Sequence, residues 1–252
     1  MSLKNQIIGI EKTKITSYQI DLKGKATIQS IAGIFQEIAG NHASVNGFGF
    51  SQMAENKQMW VLTRLKIEVE KYPYWSDNIE VSTWVVSREK FFSRRDFEIH
   101  NSEDEKIIAA STGWMLLDTQ TKRPKLVDNM KMDINTNPNK LSLNSDISKI
   151  KSETNLTKIE NYKIRYSDLD VNFHVNNLKY IRILLDSYDY DWLKTYNVKI
   201  FEINYLAEAT YANELEIFRT NIENNEFVFN HEIRRKSDEK VICRAIINWT
   251  KI

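Results

Sequence analysis

The feature that most constrains this chain is a hydrophobic period of two. Val61, Leu65, Ile67 and Val69 recur through WVLTRLKIEVE, Ile79, Val81 and Val85 through NIEVSTWVV, and Phe97 and Ile99 through RDFEIH. Such spacing sends alternate side chains to one sheet face, so long strands half-buried on one side are expected. IIAASTGWMLL (107–117) is almost continuously apolar, as suits a central strand. The polar run NSEDEK (101–106) reads as the turn between two antiparallel neighbours.

Only two segments read as helix. In TIQSIAGIFQEIAG (27–40) Ile28, Ile31, Phe35 and Ile38 recur at helical spacing. In NNLKYIRILLDSYDYDWLKTY (176–196) Leu178, Ile181, Leu184, Leu185 and Tyr188 share one side, with Asn176 or Asn177 available as N-cap. Each helix precedes several strands, and the halves form an imperfect repeat. YQIDLKGK answers YSDLDVNFH, DNIEVSTWV answers ANELEIFRT, and EDEKIIAASTGW answers SDEKVICRAIINW. The class is α+β, a helix stripe buried on an antiparallel sheet, twice. We expect an N-terminal unit over 1–135, a polar connecting strap over 136–160 that crosses the surface, and a C-terminal unit over 161–252. Pro124 and Pro138 fall in the wider polar stretch from 119 to 160.

Composition excludes several functions. Thirty-five Lys and Arg balance 34 Asp and Glu, for a net charge of +1, so no global field collects nucleic acid. No run approaches the roughly 20 apolar residues of a membrane span, and MSLKNQIIGI lacks a signal-peptide core, so the chain reads as soluble and cytoplasmic, with no membrane insertion. Cys243, the single cysteine, permits neither an internal disulfide nor a CxxC site, and its place in VICRAIINW makes it a strand core residue.

The chemistry concentrates in KIRYSDLDVNFHVNNLKYI (163–181). If this segment enters extended, Asp170, Asn172 and His174 project to one side, just ahead of a helix whose first N–H groups can polarise a carbonyl. DLDVN resembles the opening of a calcium loop, but Phe173 replaces the required glycine and Lys179 the closing glutamate. His174 has no His or Cys at zinc spacing, so no metal and no cofactor is expected. A purely structural turn remains open on these residues alone.

SDLDVNFHVNN followed by KYI resembles the active-site signature of the plant and bacterial acyl-acyl-carrier-protein thioesterases. WVLTRLKIEVEKYP, FFSRRDFEIHNSEDEKI and AASTGWMLLDTQTKRP resemble further blocks of that family in the same order, so the likeness runs from about 18 to 249. The resemblance implies a double hotdog fold, two antiparallel sheets each wrapped around a long helix, with one active site in the C-terminal unit. DLKGKATIQS, in the first half, carries no equivalent of the Asp, Asn and His set. The family's further acid, on a strand in a segment like E-Y-R-R-E-C, falls on Glu208 of NYLAEA. Ala209 stands where many plant members have cysteine, which removes a papain-like thiol route. Ile31, Phe35 and Ile38 become candidates to touch the acyl chain.

The implied reaction is hydrolysis of a fatty acyl thioester on acyl carrier protein. Glu208 would activate water, Asp170 would position it or attack to form an anhydride, and Asn172 and His174 would orient the groups. Acyl-coenzyme A hydrolysis, a hotdog hydratase or dehydratase, and a non-catalytic acyl-binding protein are the alternatives. Arg94 and Arg95, Lys122, Arg123 and Lys125, and Arg234, Arg235 and Lys236 are candidate docking clusters for an acidic carrier. A homodimer is left open.

Overall fold

The structure is a computed structural model, and it describes residues 6–127, 134–222 and 225–252. The first residues of the leader reading, 1–5, and the 128–133 part of the polar stretch lie outside the described residues. The chain divides into two compact units that meet in sequence between Ile147 and Ser148.

The first unit contains β1 (Ile8–Lys14), α1 (Ile28–Val45), α2 (Phe50–Glu55), β2 (Gln58–Val69), β3 (Asn78–Glu89), β4 (Phe92–His100) and β5 (Lys106–Asp118). Its strands are antiparallel in the order β1-β3-β4-β5-β2, so β5 is flanked on both sides, as its continuous apolar run anticipates. α1 lies on β1 and β3 and buries Ile28, Ile31, Phe35 and Ile38. Phe35 meets Phe97 at 4.8 Å between ring centres. Each such side chain contributes about 1.5–3 kcal/mol of burial. Gly9 on β1 is required by this packing, because a Cβ there would come within 2.7 Å of the His42 ring.

A β-bulge between Leu62 and Arg64 changes the phase of β2. Leu62 therefore joins Leu65, Ile67 and Val69 in the core, and Val61 does not. The helix expected over 27–40 runs on to Val45, and α2 is a short helix that the periodicity did not mark.

The polar stretch is no loose surface crossing. Ser142 N–H donates to Asp96 Oδ2 at 2.9 Å, Ser142 Oγ to Phe97 O at 2.6 Å, and Trp84 Nε1 to Lys140 O at 2.7 Å, with Leu143 buried. These bonds cover the face of β4 that carries Arg94, Asp96 and Glu98. From Ser148 onward the chain instead belongs to the second unit, where Asn204 Oδ1 accepts the Ile150 N–H at 2.7 Å.

The second unit contains β6 (Thr157–Lys163), α3 (Asn177–Asp186), α4 (Tyr190–Thr195), β7 (Tyr196–Tyr205), β8 (Glu214–Ile222), β9 (Asn225–Arg235) and β10 (Lys240–Lys251). The order β7-β10-β9-β8-β6 is again antiparallel. Cys243 is fully buried in β10, and burial pushes its thiol well up. The single helix expected over 176–196 is two helices, and its last residue opens β7. Ser187 turns back on Leu184 O at 2.7 Å, and Asp189 caps a new start through the Trp192 N–H at 2.8 Å. The break lets Tyr188 enter an aromatic cluster, 4.7 Å from Trp249 and 5.5 Å from Phe229 between ring centres.

Candidate active site

The segment that holds Asp170, Asn172 and His174 is a tight turn, not an extended strand. Asp170 N–H donates to His174 O at 2.8 Å, Phe173 N–H donates to Asp170 O at 3.0 Å, and Leu169 pairs with Val175 across the turn. Asp170 and His174 therefore face each other by chain reversal. The extended backbone expected from the i, i+2 and i+4 spacing is thus corrected: chain reversal, not alternation along a strand, brings Asp170 and His174 together. The carboxylate makes the turn: Asp170 Oδ1 accepts the N–H of Asn172 at 2.8 Å and of His174 at 3.3 Å, the self-bonding that suits aspartate to turns. Asn172 is exposed at the tip.

Glu208 lies past the end of β7 in a loop, where the family pattern anticipated a strand. Two contacts bring that loop to the turn. Val175 N–H donates to Ala209 O at 2.9 Å, and His174 forms an isolated antiparallel bridge with Thr210. As a result Glu208 Oε2 sits 3.3 Å from His174 Nε2, with the two side chains 53% and 26% exposed. Ala209 is fully buried, and its carbonyl holds the backbone beside His174.

α3 begins immediately afterwards. Asn176 is its N-cap, taking the Leu178 N–H at 2.9 Å, and donates its own N–H to Asp168 O at 2.8 Å. The sequence reading passed over Asp168, the first acid of the D-L-D run. It is fully buried, accepts from Tyr162 Oη and Arg165 N–H at 2.8 Å each, and pairs with Arg182 of α3 at 3.0 Å. Tyr180 was likewise passed over. Its hydroxyl is buried and has no hydrogen-bond partner among the described residues. Burial pushes its phenol well up, and the charges of Glu208 and Asp170 add to the push. Both residues lie inside the quoted motif, and the signal that could have found them is a second acid and an aromatic on inward-facing positions.

The first unit repeats the turn. Asp21 N–H donates to Lys25 O at 2.8 Å, Gly24 N–H to Asp21 O at 3.0 Å, and Asp21 Oδ1 accepts the N–H of Lys23 at 2.8 Å and of Lys25 at 3.1 Å. Ala26 N–H reaches Pro73 O as Val175 reaches Ala209. The expectation that DLKGKATIQS has no counterpart to the set is thus corrected for one member: Asp21 matches Asp170. Lys23 and Lys25 stand where Asn172 and His174 would be, and Tyr72 stands where Glu208 would be. The remaining contrast is at the tip. Gly24 has φ +75°, whereas Phe173 holds φ +63° with a bulky side chain. Such a residue in the left-handed region costs of order 1–3 kcal/mol.

The docking clusters are mostly neutralised. Arg95 is 4% exposed, bonded to His42 and Thr83, so it is no surface group. Arg94 pairs with Asp96 and Asp146, Lys125 with Asp118, Arg234 with Glu232, Arg235 with Asp238, and Lys236 with Glu214. Among the described residues no helix is long and apolar enough to cross a membrane, and no group of three or more His, Cys, Asp or Glu is arranged to hold a metal.

Comparison with known proteins fits this site. Residues 10–134 match the acyl-ACP thioesterase N-terminal domain, and residues 151–251 match the acyl-ACP thioesterase C-terminal domain. A solved acyl-ACP thioesterase from Bacteroides thetaiotaomicron superposes with a TM-score of 0.88 at 29% identity, covering 96% of this chain and 98% of that one. The chain belongs to the acyl-ACP thioesterase family. The 12:0-ACP thioesterase from Umbellularia californica shares the fold, with a TM-score of 0.82 at 24% identity over 98% of this chain and 95% of that one. The family's fold is antiparallel sheet with few helices, hotdog-like in its helix-on-sheet packing. A palmitoyl-acyl carrier protein thioesterase from Gossypium hirsutum, named as chloroplastic, is 29% identical over 98% of this chain and 65% of its own length. The corresponding oleoyl enzyme 2 from Arabidopsis thaliana is 30% identical over 86% and 64%. The chain thus spans somewhat under two thirds of the length of these curated relatives.

Proposed function

We propose that this chain is a double hotdog hydrolase that cleaves a fatty acyl thioester from acyl carrier protein, releasing the free acid at one site per chain. The observation that carries the reading is the His174 and Glu208 pair at 3.3 Å, beside an aspartate-capped turn that opens a helix, in a chain of this family.

In the reaction, Glu208 takes a proton from water as the oxygen attacks the thioester carbonyl. Negative charge on the carbonyl oxygen is met by the N–H groups of the first turn of α3, where Leu178 is already capped and Asn177 is the donor left for substrate. The tetrahedral centre collapses, the carbon–sulfur bond breaks, and the thiolate takes from His174 the proton that Glu208 removed from water and passed across the pair, which returns both side chains to their starting states. Asn172 presents its amide to the thioester from the turn tip. Asp170 holds the turn through Oδ1, and its Oδ2 orients the water. A thioester carbonyl is electrophilic enough for this set to act without a serine or cysteine nucleophile.

The test is a chain-length series of acyl-carrier-protein thioesters assayed for released acid. Free acid from the wild type and about 10²–10⁴-fold less from Glu208→Gln is the expected result. Cleavage of coenzyme A thioesters much faster than carrier-protein thioesters at equal chain length would overturn the carrier assignment. In a single turnover in heavy-oxygen water, label retained on Asp170 would replace the water route with an anhydride.

A further inference from the structure

We infer that Phe173, with Val171 and Tyr211, forms an apolar lip on which the acidic acyl carrier protein docks; this rests on the hydrolase reading above. Phe173 is 78% exposed and Val171 83%, both at the tip of the turn that holds Asp170 and His174. Tyr211, 61% exposed, follows Thr210, the residue bridged to His174, so the antiparallel register sets it opposite Phe173. Three large apolar side chains in water around one turn are what an interaction surface presents.

The conformation strengthens the case. Phe173 holds a left-handed φ of +63° that glycine adopts freely, and the first unit has Gly24 there at +75° in the same turn with the same hydrogen bonds. Folding alone would favour glycine at this position. The ring is therefore kept at the expense of backbone strain, next to the reacting pair.

The occupant follows from position and charge. The thioester must reach the His174 and Glu208 pair, and whatever carries it passes this rim. Arg165 ahead of the turn and Lys179 behind it are in no ion pair among the described residues. An apolar lip flanked along the chain by two cations that make no ion pair among the described residues complements a small acidic partner. Of the basic clusters in the sequence, Arg94, Lys125, Arg234, Arg235 and Lys236 are paired with carboxylates and Arg95 is buried, which leaves Lys122 and Arg123, on the 118–125 turn of the first unit.

Phe173→Asn tests the proposal, since asparagine tolerates the left-handed region and keeps the turn while removing the ring. Tyr211→Ser is an independent probe outside the turn. With acyl carrier protein thioesters, each variant should raise KM about tenfold, the usual cost of losing an interface anchor, with kcat retained. With acyl-pantetheine thioesters, which lack the protein, neither constant should change. Equal losses on both substrates, or none on either, would overturn the lip. Loss of a dimer in sedimentation on Phe173→Asn would also overturn it, assigning the surface to a second copy. If the wild type cleaves neither thioester, the hydrolase reading fails by itself. Direct binding to immobilised acyl carrier protein then decides docking: weaker binding by both variants supports it, and binding equal to wild type sinks it.

Discussion

Asp21 and Asp170 cap the same turn in the two units, each accepting two main-chain N–H groups and each closing on the residue four positions ahead. The aspartate is therefore an architectural requirement of the strand-to-helix entry. What differs around it is His174 for Lys25, Asn172 for Lys23 and Glu208 for Tyr72, and the proposed chemistry rests on those three. Removing the capping oxygen should cost about 1–2 kcal/mol in either unit, so Asp21→Ala and Asp170→Ala both lower the unfolding midpoint. Asn substitutions keep an accepting oxygen and should leave stability unchanged. Activity then separates the units, with Asp21→Asn like wild type and Asp170→Asn reduced at least about tenfold in kcat. An Asp170→Asn enzyme at full speed would confine Asp170 to turn-making.

The His174 and Glu208 pair should act as one unit. His174→Asn and Glu208→Gln are each expected to lower kcat about 10²–10⁴-fold, and the double variant little further, because either change disables the same proton path. Both side chains have solvent access, so thermal midpoints should stay within a degree or two of wild type. Fully multiplicative losses in the double variant would show two independent roles.

How much of this was legible follows the range of each signal. Period two found the strands, and the doubled pattern found the units, because alternation and repeats are local. The bulge at Leu62 and Arg64 left no such mark, so Val61 was assigned to the wrong face. The run from 176 to 196 keeps helical spacing across Ser187 and Asp189. The break comes from Ser187 bonding Leu184 O and Asp189 capping Trp192 N–H, and it is matched by the packing of Tyr188 on Trp249 and Phe229, a tertiary contact that spacing does not encode. Asp170 and His174 were found by residue type, but the turn that joins them depends on one carboxylate bonding its own backbone. Glu208 came from family likeness alone. The Val175 to Ala209 hydrogen bond and the bridge from His174 to Thr210 bring it near, and no spacing rule encodes them.

Asp168 should be the stability anchor of the site. It is fully buried, and Arg182 supplies its only cation among the described residues. Arg182→Met removes that charge and leaves Asp168 with the Tyr162 hydroxyl and the Arg165 N–H. A destabilisation of about 3 kcal/mol is expected, at the low end for a broken buried pair because those two bonds persist. Urea unfolding measures it, and a loss below about 1 kcal/mol would mean the carboxylate is satisfied without Arg182.

Acid should weaken the fold through two buried histidines. His42 is pushed down to about 4, first by burial and then by Arg95, whose N–H donates to Nδ1 at 3.1 Å while Nε2 meets Gln6 O at 2.9 Å. His231 is pushed down to about 3 by burial and then by Arg219, with Tyr188 Oη 3.0 Å from its Nε2. Both are neutral when folded and titrate near 6.5 when unfolded, so between those limits the unfolded chain binds more protons and stability rises with pH. Their contribution is complete above pH about 6.5. It falls by about 1.4 kcal/mol per pH unit for each group on acidification, down to pH about 4 for His42 and about 3 for His231. Carboxylates also respond below pH about 5, so the comparison is with His42→Gln, which still offers Arg95 an acceptor but cannot titrate. Chemical denaturation at pH 7, 6, 5 and 4 should show the wild type losing stability faster than the variant from pH 6.5 downward. Parallel curves would mean that folding does not change the proton affinity of His42.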